Sequence, residues 1–385
     1  MERFSSESWL KGLPNTLKMH LKCADIDLET YRHINRVQLA HSVLSRKRIY
    51  LDTMAWIGLR EVALGRSVNP IYVALLGVLK DACRRERVIC PLSYSAVSEL
   101  LNQDDRKTRL ATARVMDELS QALCIQRFDY LLTSELEYFL CKNLLPDPSG
   151  YTPEDLAWTK VAFFVGQSTL STESLTPDQL LAFQKAIDDA ISSLSVEALA
   201  GRMGSKRRRG KLKTSAHETA NTLNIEKVKP AHLFANYQEY VNSEVRGGLE
   251  AFESLLGRTM SRLVRAAGYK GPIGEEDLKS SADMLRNLIA NAYQSGAMAS
   301  AVPQVHINAS LHALVRYDQN RKYKPNDLED FRHAGAALPY CHVFLTDKSL
   351  AHLLRHPPAS LDAQYACAVF SDPEEALDYI RSIAT

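Results

Sequence analysis

The sequence predicts an α/β protein in which a parallel sheet is flanked by helices. Short apolar runs that resemble buried strands occur at 48–51 and 88–93, and each is followed by a helical pattern. The same alternation returns at 341–372. Because parallel strands are joined by crossover helices, this repeated order is typical of a parallel sheet. We therefore expect one α/β domain built from two separate stretches of the chain.

The elements are predicted in the following order. Residues 1–47 form an N-terminal helical extension that leads into the strand "RIYL". A helix with Pro70 near its start follows, then the strand "VICPLS", the helices "YSAVSELLNQDD" and "RKTRLATARVMDELSQAL", and a short strand in "CIQRFD". In the last part, the helix "PNDLEDFRHAGAAL" precedes the strand "CHVFLTD", the helix "KSLAHLLRH", the strand "ACAVFSD" and a terminal helix.

The middle of the chain lacks a strand pattern and is expected to be a large all-helical insertion. Its segment "LTPDQLLAFQKAIDDAISSLSVEALAG" has a Thr-Pro helix start and a Gly stop. A long insertion in a surface loop costs little loop entropy. The predicted organisation is therefore a helical extension (1–47), the first half of the α/β domain (48–145), the insertion (146–299) and the second half (300–385).

Composition and charge exclude several functional classes. The net charge is only +2, so any basic surface must be local. Apolar stretches are shorter than a membrane span, and "MERFSSESWLKGLP" has polar residues where a signal peptide is apolar. The seven cysteines are scattered without a CxxC pair, which favours reduced thiols and argues against structural zinc. We expect a cytoplasmic protein that does not associate with membranes.

Acidic residues recur where predicted strands end. Asp52 ends the first strand, Glu99 lies in the helix after the second, and Asp347 ends the strand 341–347. Asp327 and Asp330 open the helix before that strand. The carboxyl ends of parallel strands meet at one edge of a sheet, so these carboxylates would repel one another unless a divalent cation neutralised them. Oxygen ligands suit Mg²⁺ or Mn²⁺, which assist phosphodiester hydrolysis.

These segments resemble the motifs of PIN-domain nucleases. "YLDTMAW" is similar to the first motif and "CPLSYSAVSELL" to the second. "KPNDLEDFRHAGAALPYCHVFLTDKSL" resembles the third and fourth, in the bacterial subtype with an Asn-Asp-x-x-Asp-x-x-His helix. Asp330 stands sixteen residues before Thr346, which is the spacing of the family. The resemblance covers about 48–145 and 300–385. Two departures are His342, where relatives often carry an acid, and Asp347 directly after Thr346.

The resemblance implies a PIN-like parallel sheet and a metal-dependent endoribonuclease that uses Mg²⁺ or Mn²⁺. The implied catalytic residues are Asp52, Glu99, Asp330 and Asp347. The implied metal ligands are Asp52, Asp330 and Asp347, which Asp327 joins because it lies three residues from Asp330 on the same helix. Thr53, Thr346 and His333 would support the site.

Each of these residues also has a structural interpretation. Asp52 and Asp347 are suited to cap the helices that follow them, and Asp327 to cap its own helix after Pro325 and Asn326. His333 is open to a purely structural role in the core. The two interpretations stay open at the level of sequence.

Two basic segments are candidates for nucleic-acid binding. Tyrosines are interleaved with basic residues in "RYDQNRKYKP", a combination that suits single-stranded nucleic acid, although a solvated turn is the alternative. A second basic run, "SKRRRGKLK", is typical of phosphate-binding tails or of a plain surface loop. The candidate residues are Arg316, Arg321, Lys322, Lys324, Lys206, Arg207, Arg208 and Arg209.

We expect RNA as the substrate, although the metal site reads phosphate geometry and does not by itself separate RNA from DNA. A toxin or defence effector, controlled by an antitoxin or another regulatory protein and able to oligomerise, is the expected setting. The alternative is a catalytically silent PIN-like scaffold that binds nucleic acid or a protein partner. A haloacid-dehalogenase-type phosphotransferase would need an aspartate at the position of Met54. A nucleotide-binding oxidoreductase is disfavoured because no GxGxxG motif follows the first strand, and a P-loop motif is also absent from the sequence.

Overall fold

The structure, a computed structural model, describes residues 13–22, 25–144, 151–166, 170–172, 174–203, 209–228, 234–294 and 301–384. The protein is an α/β protein in which helices predominate. Within the described part of the chain, none of the helices combines the length and the apolar character that a membrane span requires. The six cysteines described are buried free thiols, as the sequence predicts.

The helices and strands follow in chain order, with a 3₁₀ turn at Val161–Val165. They are α1 (Leu13–His20), α2 (Leu28–Leu44), β1 (Lys47–Leu51), α3 (Thr53–Ala63), α4 (Pro70–Arg84), β2 (Val88–Ile89), α5 (Tyr94–Leu101), α6 (Arg106–Ser120), β3 (Leu123–Ile125), α7 (Phe128–Leu144), α8 (Pro153–Leu156), β4 (Trp158–Lys160), α9 (Pro177–Ser192), α10 (Val196–Met203), α11 (Arg209–Val228), α12 (Tyr237–Ala251), α13 (Glu253–Ala266), α14 (Glu275–Gln294), α15 (Pro303–Tyr317), α16 (Asp327–Ala337), β5 (Val343–Leu345), α17 (Lys348–Arg355), α18 (Leu361–Gln364), β6 (Ala368–Phe370) and α19 (Pro373–Ile383).

The chain divides into two compact units. Unit 1 comprises Met1–Ile125, Trp158–Ser205 and Leu377–Thr385, and unit 2 comprises Gln126–Ala157 and Lys206–Ala376. The N-terminal helices belong to unit 1, where α2 contacts β1, β4 and α9. The sequence predicts other boundaries, at 47, 145 and 299, and those boundaries stay a prediction.

Unit 1 contains two strand pairs. β1 and β2 run parallel, with Lys47 opposite Val88, and all of β1 after Lys47 is buried. β3 pairs antiparallel with β4, and a parallel bridge joins Leu92 to Cys124. The structure confirms the predicted parallel pair. Parallel strands need a long crossover connection, and here α3 and α4 supply it between β1 and β2.

The prediction of an all-helical insertion is wrong, because β4 lies within residues 146–299. This strand pairs with β3 through Cys124 and Thr159, which lie 35 residues apart in sequence. Its three residues, "WTK", are too short to produce a period-two pattern that could be recognised. The predicted single helix over 175–201 is likewise two helices, α9 and α10, separated at 193–195.

Unit 2 is built around a helical core. A cluster of buried residues draws on α7, α12, α13, α14 and α15 and includes Leu136, Tyr240, Leu249, Leu285 and Ile289. Burying each such side chain contributes about 1.5–3 kcal/mol. β5 and β6 of this unit run parallel, with Phe344 opposite Val369, as the sequence predicts.

Candidate metal centre

Asp52 lies at the junction of β1 and α3 in unit 1. Its Oδ1 accepts hydrogen bonds from the backbone N–H groups of Met54 at 3.0 Å and Ala55 at 3.3 Å, so it caps α3. The residue is only 8% exposed. An aspartate at this position satisfies otherwise unpaired N–H groups and faces the positive end of the helix dipole. The capping interpretation is therefore confirmed, and it does not exclude a ligand role for the carboxylate.

Glu99 is hydrogen-bonded to the residue that follows Asp52. The Thr53 hydroxyl donates to Glu99 Oε2, and both side chains are half-buried. The helix that carries Glu99 is fixed at its start by Ser93, whose hydroxyl oxygen accepts from Ala96 N at 3.2 Å. The Tyr50 hydroxyl donates to the same Ser93 oxygen at 2.6 Å. Unit 1 thus holds the first two predicted motifs in contact through the Thr53–Glu99 bond.

The electrostatic effect of Asp52 is seen on a neighbouring phenol. Burial, together with the negative charge of Asp52, raises the pKa of Tyr72. The Tyr72 ring lies against Gly58 of α3, where an added Cβ would meet the ring at 2.2 Å. A glycine is required at this point, because only a residue without a side chain allows the ring to pack so closely to the helix.

In unit 2, Asp327 is the first residue of α16, and Asn326 occupies the N-cap position. The prediction that Asp327 caps the helix is therefore wrong. Its carboxylate instead closes the preceding loop: Oδ1 accepts from Arg321 Nη2 at 3.0 Å, and Oδ2 accepts from Lys324 N at 2.9 Å. The residue is 2% exposed, and both of its oxygens have partners. Its predicted role as a ligand stays a prediction.

Further along the same helix, Glu329 and His333 bring two ligand atoms close together. A carboxylate oxygen of Glu329 and a ring nitrogen of His333 lie within 4.8 Å of each other, a separation at which both could hold one metal ion. Residues four apart share a helix face, which explains the approach. His333 is 3% exposed, and Asp330 on the first turn is half-buried. Glu329 also accepts from Arg332 at 2.7 Å.

Thr346 and Asp347 follow β5 directly. Asp347 Oδ1 accepts from Leu350 N at 2.9 Å and so caps α17, in the same way that Asp52 caps α3. The Thr346 hydroxyl is fully buried and has no hydrogen-bond partner among the residues that the structure describes. A buried unpartnered hydroxyl costs about 1–3 kcal/mol, so its presence beside an acid is consistent with a ligand that would accept from it.

Of the predicted basic residues, two are engaged in ion pairs. Arg316 pairs with Glu244 at 2.7 Å, and Arg321 pairs with Asp327. Lys322 and Lys324 are exposed. Lys206, Arg207 and Arg208 lie outside the described residues, as does the side chain of Arg209. Because their charges are already compensated within unit 2, Arg316 and Arg321 offer less to a phosphate than the two exposed lysines.

One residue of this centre, Glu329, is missing from the sequence prediction, which singles out the aspartates at 327 and 330. The signal is nevertheless present in "EDFRH", where an acid and a histidine stand four residues apart. Carboxylates and an imidazole form a donor set that fits a divalent metal ion, and an imidazole favours Mn²⁺ over Mg²⁺. Comparison of the chain with models of known families, with curated proteins and with solved structures gave no match.

Proposed function

We propose that the protein is a metal-dependent endoribonuclease of PIN-like type that hydrolyses phosphodiester bonds with a protein-held Mg²⁺ or Mn²⁺. The observation that carries the proposal is the approach of Glu329 and His333 to within ion-sharing distance on α16. It is supported by Asp52 and Asp347, which each follow a buried strand and cap the next helix. The order and spacing of the four sequence motifs are the reason for proposing a nuclease of the PIN-like class.

The residues divide the work as follows. The sequence motifs assign Asp52, Asp330 and Asp347 as the residues that would bind the cation, and Glu329 and His333 on α16 add two donors to that set. When bound, the ion lowers the pKa of a water molecule and neutralises charge on the phosphate. Glu99, oriented by the Thr53 hydroxyl, accepts a proton from the attacking water. The Thr346 hydroxyl donates to a phosphate oxygen and so gains the partner that it lacks.

The preferred metal ion depends on the chemical nature of the ligand atoms. Mg²⁺ takes oxygen ligands almost exclusively, whereas Mn²⁺ also accepts an imidazole. With His333 as a ligand, we expect higher activity with Mn²⁺ than with Mg²⁺. The proposed setting is a toxin or defence effector that an antitoxin or another regulatory protein controls.

The experiment is a cleavage assay with the full-length chain. Labelled single-stranded RNA, structured RNA and DNA are incubated with Mn²⁺, with Mg²⁺ or with EDTA. Asp52→Asn removes the charge but keeps an oxygen that can cap α3, because asparagine is a good N-cap residue. The matched control is Asp105→Asn, since Asp105 caps α6 by accepting from Thr108 N at 2.6 Å.

The proposal predicts RNA cleavage that requires Mn²⁺ or Mg²⁺, survives in Asp105→Asn and falls at least a hundredfold in Asp52→Asn. Cleavage of DNA in preference to RNA would retain the nuclease and overturn the substrate. If wild type leaves every polymer intact in both metals, the alternative of a silent PIN-like scaffold becomes the better account.

A further inference from the structure

Unit 1 contains a cavity of about 370 Å³ between α2, α9 and β4. The described residues that line it all belong to this unit, and none of them is a proposed nuclease residue. Small-molecule sites in proteins begin at roughly 300 Å³, so the volume suits a ligand of mononucleotide size.

The wall of the cavity includes charged side chains of both signs. Arg32, Arg36 and Lys160 line the cavity together with two carboxylates, Asp188 and Asp189. Arg32 and Asp188 form a two-point ion pair, in which Nε donates to Oδ2 at 2.6 Å and Nη2 donates to Oδ1 at 3.1 Å. Because both oxygens of Asp188 accept from this guanidinium, its charge is compensated and would repel an incoming anion only weakly.

The second carboxylate is also engaged by its surroundings. The Tyr31 hydroxyl donates to Asp189 Oδ1, and His20 Nε2 lies 2.8 Å from Oδ2. Lys185, which is 1% exposed, adds a further positive charge behind this wall, with Nζ 5.5 Å from the centre of the Tyr31 ring. The cavity and its surroundings thus carry more positive than negative charge, which favours an anionic ligand.

Lys160 is one of the three cations that line the cavity. Its Nζ donates to the Gln121 carbonyl oxygen at 2.9 Å, which uses one of the three ammonium protons. Burial chiefly lowers the pKa of Lys160, and the nearby positive charge of Arg46 lowers it further. A phosphate beside Nζ would offset both effects by supplying negative charge and hydrogen-bond acceptors.

The remaining wall offers aromatic and amide groups. Phe163 is half-buried, and Trp158 is fully buried, with the Arg48 guanidinium 5.9 Å from its ring centre. Asn35 and Gln38 contribute amides that can both donate and accept. An aromatic side chain is a stacking surface for a nucleobase, and amides can pair with the edge of the base.

We propose that this cavity binds a 5′-nucleoside monophosphate group, with the phosphate at Lys160 and Arg36 and the base against Phe163. The same chemical group occurs in a free nucleotide and at the 5′ end of an RNA chain. The proposal is independent of the metal centre and does not rest on the proposed nuclease activity.

The test is isothermal titration of the full-length protein in EDTA, which prevents metal-dependent cleavage. The probes are AMP, GMP, CMP and UMP, inorganic phosphate, adenosine, and a tetraribonucleotide with and without a 5′-phosphate. We expect at least one nucleotide, free or as the phosphorylated 5′ end, to bind more tightly than phosphate or adenosine. The free nucleotides and the two forms of the tetranucleotide distinguish the two sources of the group.

Lys160→Gln is expected to weaken that binding about tenfold or more, because a charge-assisted hydrogen bond contributes on the order of 1.5–3 kcal/mol. Lys160→Arg should restore most of it. Lys18→Gln, at an exposed position of α1 away from the cavity, is the matched control and should bind as wild type. Arg36→Gln provides a second test if Lys160→Gln fails to fold.

Three results would overturn the proposal. The first is the absence of binding for every nucleotide and oligonucleotide at millimolar concentration. The second is inorganic phosphate that binds as tightly as the best nucleotide. The third is folded Lys160→Gln and Arg36→Gln proteins that both retain wild-type affinity.

Discussion

Glu135, a fully buried acid in α7, makes the stability of unit 2 depend on pH. Its Oε2 accepts from Gln304 N at 2.9 Å, and its Oε1 accepts from the Tyr340 hydroxyl at 2.7 Å. Burial raises the pKa of Glu135 from 4.5 to about 8, although these two donors offset part of the increase. The folded protein therefore holds a proton on Glu135 at neutral pH, whereas the unfolded chain does not.

The sign of the effect follows from linkage. A group that binds its proton more tightly in the folded state contributes most to stability below its unfolded pKa, and this contribution is lost as the pH rises towards the folded pKa. The window for Glu135 runs from 4.5 to about 8. Between pH 5 and pH 7, wild type should lose about 3 kcal/mol of unfolding free energy through this one group.

Glu135→Gln removes the titration, keeps the hydrogen bond from Gln304 N and reverses the direction of the bond to Tyr340. The new amide oxygen can accept from Gln304 N, and the new NH₂ group can donate to the Tyr340 oxygen. We expect the unfolding free energy of the variant, relative to wild type, to rise by about 3 kcal/mol from pH 5 to pH 7. The assay is urea unfolding followed by circular dichroism, together with hydrogen exchange of the peptide that contains Glu135.

The control is Glu250→Gln, an exposed glutamate on α12 of the same unit. It should reproduce the pH dependence of wild type. Identical pH profiles for Glu135→Gln and Glu250→Gln would refute the reasoning, because Glu135 would then not be the group that binds the extra proton.

Substitutions at three further positions in unit 2 have definite expected outcomes. Asp327→Ala should destabilise the protein by about 3 kcal/mol in urea unfolding, because it leaves Arg321 largely buried without its carboxylate; Asp327→Asn should cost less. Gly335→Ala should lower the melting temperature by several degrees, since its Cβ would meet the buried Gln304 Oε1 at 2.9 Å, and an unchanged melting temperature would contradict this packing. Thr346→Val should leave the melting temperature unchanged or raise it, because the hydroxyl has no partner in the described part of the chain. RNA cleavage should fall in this variant, and cleavage at the wild-type rate would remove Thr346 from the proposed site.

The sequence is informative where an element depends on local signals. Strands β5 and β6 are continuous apolar runs, and β1 ends in one at Ile49–Leu51; each strand is followed by a polar residue and a helix. The start of α4 at Pro70 and the Thr-Pro start of α9 at Thr176 and Pro177 are likewise local. These features are confirmed, because residues within four positions of one another determine them.

Features that depend on distant residues could not be predicted in this way. β4 exists because Trp158–Lys160 pairs with β3, and its three residues carry no recognisable strand pattern of their own. The division into units likewise depends on packing between distant helices, such as α10 with α6 and α9 with α1. No single segment of sequence carries that information.

The candidate site shows the same limit. The pattern of acids predicts which segments contribute to the metal site. The partners of Asp327, however, come from a loop whose conformation no sequence motif specifies. For the same reason, Arg321 is a candidate for phosphate binding in the sequence and half of an ion pair in the structure. Glu329 lies between Asp327 and Asp330, and the motif formed by these two aspartates does not include it.

The central claim is that Glu329, His333 and the predicted aspartates hold a divalent ion. Mn²⁺ binding to the protein without RNA tests this claim most directly, since it requires no choice of RNA. Mn²⁺ is titrated into full-length wild type, His333→Ala and the exposed-site control His217→Ala, and the free ion is measured by electron paramagnetic resonance. The account predicts binding by wild type and by His217→Ala, and an affinity at least tenfold lower in folded His333→Ala. Equal affinity in all three proteins, or no binding by wild type at millimolar Mn²⁺, would contradict it.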